Sequence, residues 1–222
     1  MSAGIDRDGP GNFPGLRSCH LIESVAVTQA ATSIAALPPR GTDMDSDVLD
    51  GCRVGDPRAL RSFVLQYQGA VFAFLSRTLG RGPHVEDLAQ EVFLRALRAL
   101  PRFDRNGEAR PLTWLLTIAS RLVIDHRRKR RLPMQRMEDC ELPAPGTPET
   151  ETRRAEIGRA LARAAAQLSD DQRDVFVLAE FHGLDMREIA SVLNIPEATV
   201  KTRLFRARER LRTLLGGVGE GP

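Results

Sequence analysis

Cysteine is scarce in this 222-residue chain, and the three present stand alone: Cys19, Cys52 and Cys140 are far apart and odd in number. Zinc sites and disulfide frameworks need close, paired spacing, so neither is expected, and a reduced cytoplasmic protein is. Long apolar runs are missing too. Nothing approaches the roughly 20 residues that cross a bilayer. The first residues, with Asp6 and Asp8 and no basic-then-apolar order, do not read as a signal peptide, so no membrane insertion is expected. His20, His84, His126 and His182 are scattered; His126 sits among cations, His182 precedes a turn, and neither is near a plausible Ser or Cys partner. With no metal-ligand spacing and no glycine-rich phosphate loop, the expectation for catalytic residues, cofactors and metals is none, and the chain reads as a binder, not an enzyme. Lysine is nearly absent as well. Of 32 cationic residues only Lys129 and Lys201 are lysine, a bias that fits a GC-rich genome better than a chemical need.

What the chain does have is cationic charge in two places. The net charge of +3 says little, but Arg121 to Arg131, "RLVIDHRRKRR", sets six Arg/Lys against one Asp, and Glu197 to Arg212 sets six against two Glu. Two clusters so far apart imply two separate contacts with a polyanion.

Around these clusters the patterning is helical. Residues 1–43 mix Gly, Pro, Ser and Ala without sustained periodicity and are expected to be a mostly disordered extension; translation starting at Met44 is an open alternative. Asp56-Pro57 is a helix start, followed by Ala59, Leu60, Phe63, Val64, Tyr67 and Val71 at helical spacing as far as Leu79. After a break at Gly80 to Pro83, Leu88, Val92, Phe93, Ala96, Leu97 and Leu100 recur until Pro101. A third helix from Pro111 carries Leu115, Ile118, Ala119 and Leu122 as its buried stripe. Residues 44–131 are thus predicted to be a helical bundle. Residues 132–152 hold four prolines and five acidic residues against one Arg, an extended acidic linker. Helical patterning resumes over 153–215 with Ile157, Leu161, Leu168, Val175, Phe176 and Leu178, and 216–222 reads as a flexible tail. The fold class is all-α, two small helical domains on an extended linker.

The end of the second domain has the spacing of a helix-turn-helix. Asp185 and Glu188 form a capping box, Ile189, Ala190 and Leu193 face inward, Asn194 suits a turn needing positive φ, and Pro196 precedes the next helix. Val200, Leu204, Ala207 and Leu211 bury one side of that helix. Glu197, Ala198, Thr199, Lys201, Thr202, Arg203 and Arg206 are left outward near its start, where a recognition helix presents side chains to bases and phosphates. The first basic run is less specific, since a cationic helix end is also a dipole complement and solvated surface. Trp114 shares its helix with Thr117 and Arg121, an arrangement suited to stacking on unpaired bases, although a Trp beside Leu115 and Ile118 is expected to be at least half core.

Taken in order, "DLAQEVFLRAL", "PLTWLLTIASRLVIDHRRKRR" and "MREIASVLNIPEATVKTRLFRARERL" resemble a bacterial RNA polymerase sigma factor of the extracytoplasmic-function group of the sigma-70 family, from about Asp47 to Leu215. The resemblance covers regions two and four, with no room for the intervening domain of larger members. It implies that Asp87, Gln90 and Glu91 grip the β′ clamp helices of core RNA polymerase, with the β flap a second contact. It implies that the loop with Phe103, Arg105 and Asn106 captures a flipped base of the minus-ten element, while Trp114, Thr117, Ser120, Arg121, Arg127 and Arg128 line the melted strand. Where the family has Asn, this chain has Arg121, a guanidinium with no acceptor. In the second domain Glu197, Ala198, Thr199, Lys201, Thr202, Arg203 and Arg206 would meet the minus-thirty-five element. Promoter DNA, the polymerase core and an anti-sigma factor are the implied partners. Elements two helical turns apart lie roughly 70 Å from each other, and 21 linker residues reach about 70 Å only when fully stretched. The rival reading is a free-standing helix-turn-helix regulator that acts without core polymerase.

Overall fold

The computed structural model describes residues 44–103, 110–131 and 160–216, the side chain of Arg131 excepted. The N-terminal extension, the acidic linker, Arg105, Asn106, Ile157 and the tail beyond Gly216 lie outside the described residues. Every regular element among the described residues is a helix.

Among the described residues four helices make the first unit: α1 (Ser46–Arg53), α2 (Pro57–Leu79), α3 (Pro83–Ala99), which tightens into a 3-10 turn at Leu100–Arg102, and α4 (Pro111–Arg131). Their starts follow from local chemistry. The Asp45 carboxylate accepts from the Asp47 amide at 3.2 Å, and that of Asp56 from the Arg58 amide at 3.1 Å, with Pro57 supplying a fixed φ at the first helical position. Gly80, at φ 83°, ends α2 in a conformation that a side chain would strain. At Gly51 a Cβ would lie 2.7 Å from the Ala59 Cβ, so the close crossing of α1 over α2 requires glycine. Inside, Phe63, Tyr67, Phe74, Leu75, Val85, Val92 and Leu115 are fully buried, and Phe63 stands edge-on to both Tyr67 and Phe93. Each such side chain contributes about 1.5–3 kcal/mol on burial.

The second unit comprises α5 (described over 160–166), α6 (Asp170–Phe176), which widens into a π-helical turn at Val177–Phe181, α7 (Met186–Leu193) and α8 (Glu197–Gly216). Ser169 with Gln172 caps α6 and Asp185 with Glu188 caps α7, each pair reciprocally bonded. Asn194 holds φ 53° at the turn into α8, and Val200, Leu204, Ala207 and Leu211 are buried as the spacing predicts.

The two units are docked on one another, which the sequence reading did not anticipate. α4 packs against α7, and α2 against α6 and the π turn. Consequently α4 is buried on two sides. Leu115, Ala119 and Leu122 face its own bundle, while Thr113, Leu116, Ser120, Val123 and Arg127, spaced three and four apart, form a second covered stripe.

Candidate nucleic-acid and polymerase interfaces

Three surfaces carry the sequence-derived candidates. On α3, Asp87 is exposed and Gln90 and Glu91 are half-buried; the Glu91 carboxylate takes a 2.6 Å hydrogen bond from the Arg95 guanidinium one turn on. Both partners are largely wet, so the pair is worth at most about 1 kcal/mol and leaves the stripe available to a partner.

On α4 the candidates separate. Arg121 and Arg128 are exposed, with Ile124 between them, and Arg128 reaches Asp125 at 3.1 Å. Trp114 is half-buried with its ring 4.8 Å from that of Phe103, which is itself buried, so the aromatic pair belongs to the bundle wall. Thr117 is half-buried and donates back to the Thr113 carbonyl. Ser120 is buried and donates at 3.0 Å to the carbonyl of Val192 in α7. Arg127 has the most partners: its guanidinium meets both Asp174 oxygens at 2.7 and 2.9 Å, lies 3.6 Å from Asp170, and donates to the Thr78 carbonyl. Ser120 and Arg127, expected along a DNA strand, therefore face the second unit in this structure.

The Arg127 pair is electrostatically uneven. Burial raises the Asp174 carboxyl above its ordinary value, outweighing the guanidinium hydrogen bonds that pull it down. Arg173 beside it donates to the Thr78 carbonyl and also to those of Ala165, Ala166 and Leu168, tying α5 to α6 and to the first unit. Burial lowers its proton affinity. Nearby, the His84 and His126 rings stack at 5.2 Å between α3 and α4, both depressed by burial first and by surrounding cations after it. Cys52 is buried, and its thiol is pushed up to about 11 by burial and by Asp56.

On α8 the recognition face is open. Glu197, Ala198, Lys201, Thr202 and Arg206 are exposed and Thr199 is half-buried. Arg203 is partly covered and held by Asp171 at 2.6 Å. Phe205, 65% exposed between these residues, was missed by the sequence reading. Its signal was there, since position 205 falls off the 200, 204, 207 and 211 stripe. Among the described residues no group of three His, Cys, Asp or Glu side chains could hold a metal, and no helix is long and apolar enough to cross a membrane.

Two helical units, one ending in a helix-turn-helix with an open cationic face, define a helical protein of the nucleic-acid-binding class. Sigma-70 region 2 matches residues 63–132, and Sigma-70 region 4 matches 158–211. RNA polymerase sigma-H factor of Pseudomonas aeruginosa is 34% identical over 180 residues, spanning 76% of this chain and 92% of that one. ECF RNA polymerase sigma factor SigW of Bacillus subtilis is 34% identical, over 72% and 91% of the two chains. The sigma-E factor of Escherichia coli K12 is 32% identical, over 75% and 92%. The chain belongs to the extracytoplasmic-function group of the sigma-70 family. Among solved structures, CnrH in complex with the cytosolic domain of CnrY aligns with a TM-score of 0.56 and 27% identity, over 77% of this chain and 96% of that one. The fold is also that of the sigma factor RpoE in complex with the anti-sigma factor NepR from Bartonella quintana, with a TM-score of 0.59 and 23% identity over 72% and 98%.

Proposed function

We propose that the chain is a transcription initiation factor: it binds core RNA polymerase, recognises promoter DNA at two elements and nucleates strand opening, with no catalysis of its own. It works in the cytoplasm. The observation that carries this reading is the pairing of an open, cationic, capped helix-turn-helix with a second cationic helix in one chain that spans over nine-tenths of its sigma-factor relatives.

In this reading residues 153–215 anchor the upstream element through the α8 face. Lys201 and Arg206 meet phosphates and base edges, Thr199 and Thr202 supply hydroxyls, and Phe205 offers the apolar contact that a thymine methyl accepts. Residues 44–131 hold the polymerase through Asp87, Gln90 and Glu91 and open the downstream element around Trp114, Thr117, Arg121 and Arg128. Ser120 and Arg127 join that surface once the second domain leaves it. The Phe103 to Arg110 loop takes the flipped base. The 132–152 linker is drawn out along the cationic channel of the polymerase, and an anti-sigma partner of the kind seen with CnrH and RpoE keeps the factor inactive.

Run-off transcription tests this directly. Purified chain added to core polymerase should start transcripts at discrete genomic promoters, whereas a free-standing regulator would start none. Asp87→Arg with Glu91→Arg should abolish association with core and leave the chain's affinity for upstream duplex DNA unchanged. Undiminished core association would remove the α3 stripe from the polymerase contact.

A further inference from the structure

Where the two units meet lies a buried imidazole that nothing holds. His182, directly after the π turn, is 6% exposed, and neither ring nitrogen has a hydrogen-bond partner among the described residues. Its ring stands edge-on to Phe74 of α2 with centroids 5.9 Å apart. Arg77, one turn further along α2, lies with Cζ 4.4 Å over the Phe181 ring. It is the charge that acts on His182.

The carboxylates of the neighbouring elements are already engaged. Glu180 on the π turn is taken by Arg208 of α8, and Asp174 and Asp170 of α6 by Arg127 of α4, with Arg173 also near Asp170. A neutral ring is tolerable in such a place. An imidazolium is not, because it would be desolvated beside a like charge with no counter-ion. Burial first, and Arg77 second, push the His182 pKa from 6.5 down to about 3. As packing material, leucine or phenylalanine would fill the space without stranding two polar nitrogens.

We propose that His182 is an acid-operated release for the docking of the two domains: as they part, the exposed ring takes up a proton, cannot be reburied while charged, and leaves the Ser120 and Arg127 face of α4 uncovered. Because proton affinity is depressed in the docked form, the docking keeps this residue's full contribution above the ordinary imidazole value of 6.5 and loses it progressively as pH falls toward 3. Asp174 acts the other way: its raised carboxyl binds protons more readily when docked, which favours docking at low pH. The stacked His84 and His126 lie between α3 and α4, with Asp87, Arg127, Lys129 and Arg130 acting on them; Arg127 links them to the docking face, and the release is assigned to His182 and not to this pair.

Thiol labelling of the full-length chain, with Cys19, Cys52 and Cys140 replaced by Ala, tests the release. Val123→Cys reports undocking from the covered stripe, and Ala119→Cys reports unfolding of the bundle. Corrected for thiolate content with an unfolded peptide, the Val123→Cys rate should rise between pH 7.5 and 5.0, by up to the roughly 30-fold of one-proton linkage at His182, less whatever Asp174 offsets. The Ala119→Cys rate should rise far less; an equal rise means that acid unfolds the bundle and overturns the proposal. His182→Phe and, independently, His182→Leu should flatten or reverse the response, and survival of the full rise in either chain overturns the proposal. His84→Gln with His126→Gln should retain it, and its disappearance there would shift the sensor to that pair and sink the assignment to His182.

Discussion

The two cationic helices are treated oppositely by the same fold. α8 buries a single narrow stripe and leaves Lys201, Thr202, Phe205 and Arg206 in solvent, while α4 is covered on two sides and its Arg127 is locked between acidic residues of the other unit. One surface is ready for a ligand and the other must first be vacated. The contrast shows that basic charge on a helix does not by itself mean an available nucleic-acid face; its neighbours in the resting chain decide.

Breaking the covered side should have the largest effect. Arg127→Ala strands the buried Asp174 carboxylate, and removing one partner of a buried pair costs about 3–5 kcal/mol, read as a lower denaturation midpoint of the full chain. An unchanged midpoint would mean that the docking contributes nothing to stability. On the open side the effects should separate stability from binding. Phe205→Ala should alter stability by no more than about 0.5 kcal/mol, yet weaken affinity for upstream promoter duplex in a titration. A smaller and more diagnostic change is expected from Lys201→Ala and Arg206→Ala, each lowering the slope of log affinity against log salt by about 1 if it neutralises a phosphate. Slopes identical to the unsubstituted chain would take these residues off the DNA backbone.

Much of this architecture was legible because its determinants are local. Asp56-Pro57, the Asp185 and Glu188 box and Asn194 in the left-handed region need only their own few neighbours to act, and the structure places each where its side chain demands. The 200, 204, 207 and 211 spacing likewise identified the core side of α8. What escaped were features made by distant segments. On α4 one apolar stripe is legible in the sequence and the other is not, because Leu116 and Val123 alternate with Thr113, Ser120 and Arg127, and of these Ser120 and Arg127 read as a ligand surface. Their partners, Glu188, Val192 and Asp174, lie 75, 72 and 47 residues away along the chain. Two leucine-class positions seven apart between polar ones were the available clue. Phe103 and Trp114 illustrate the same limit, since their contact across the loop places both in the wall of the bundle.

The enclosure of α4 bears on how this segment can change over generations. Among the described side chains of this helix, those standing mainly in water are Arg121, Ile124, Arg128, Lys129 and Arg130, with Asp125 partly so, and neutral variation has few sites to occupy. Replacements elsewhere must be matched by the helix opposite. Lineages should therefore carry paired changes at 116 or 123 and in α7, a coupling that a deep mutational scan of both helices together would expose.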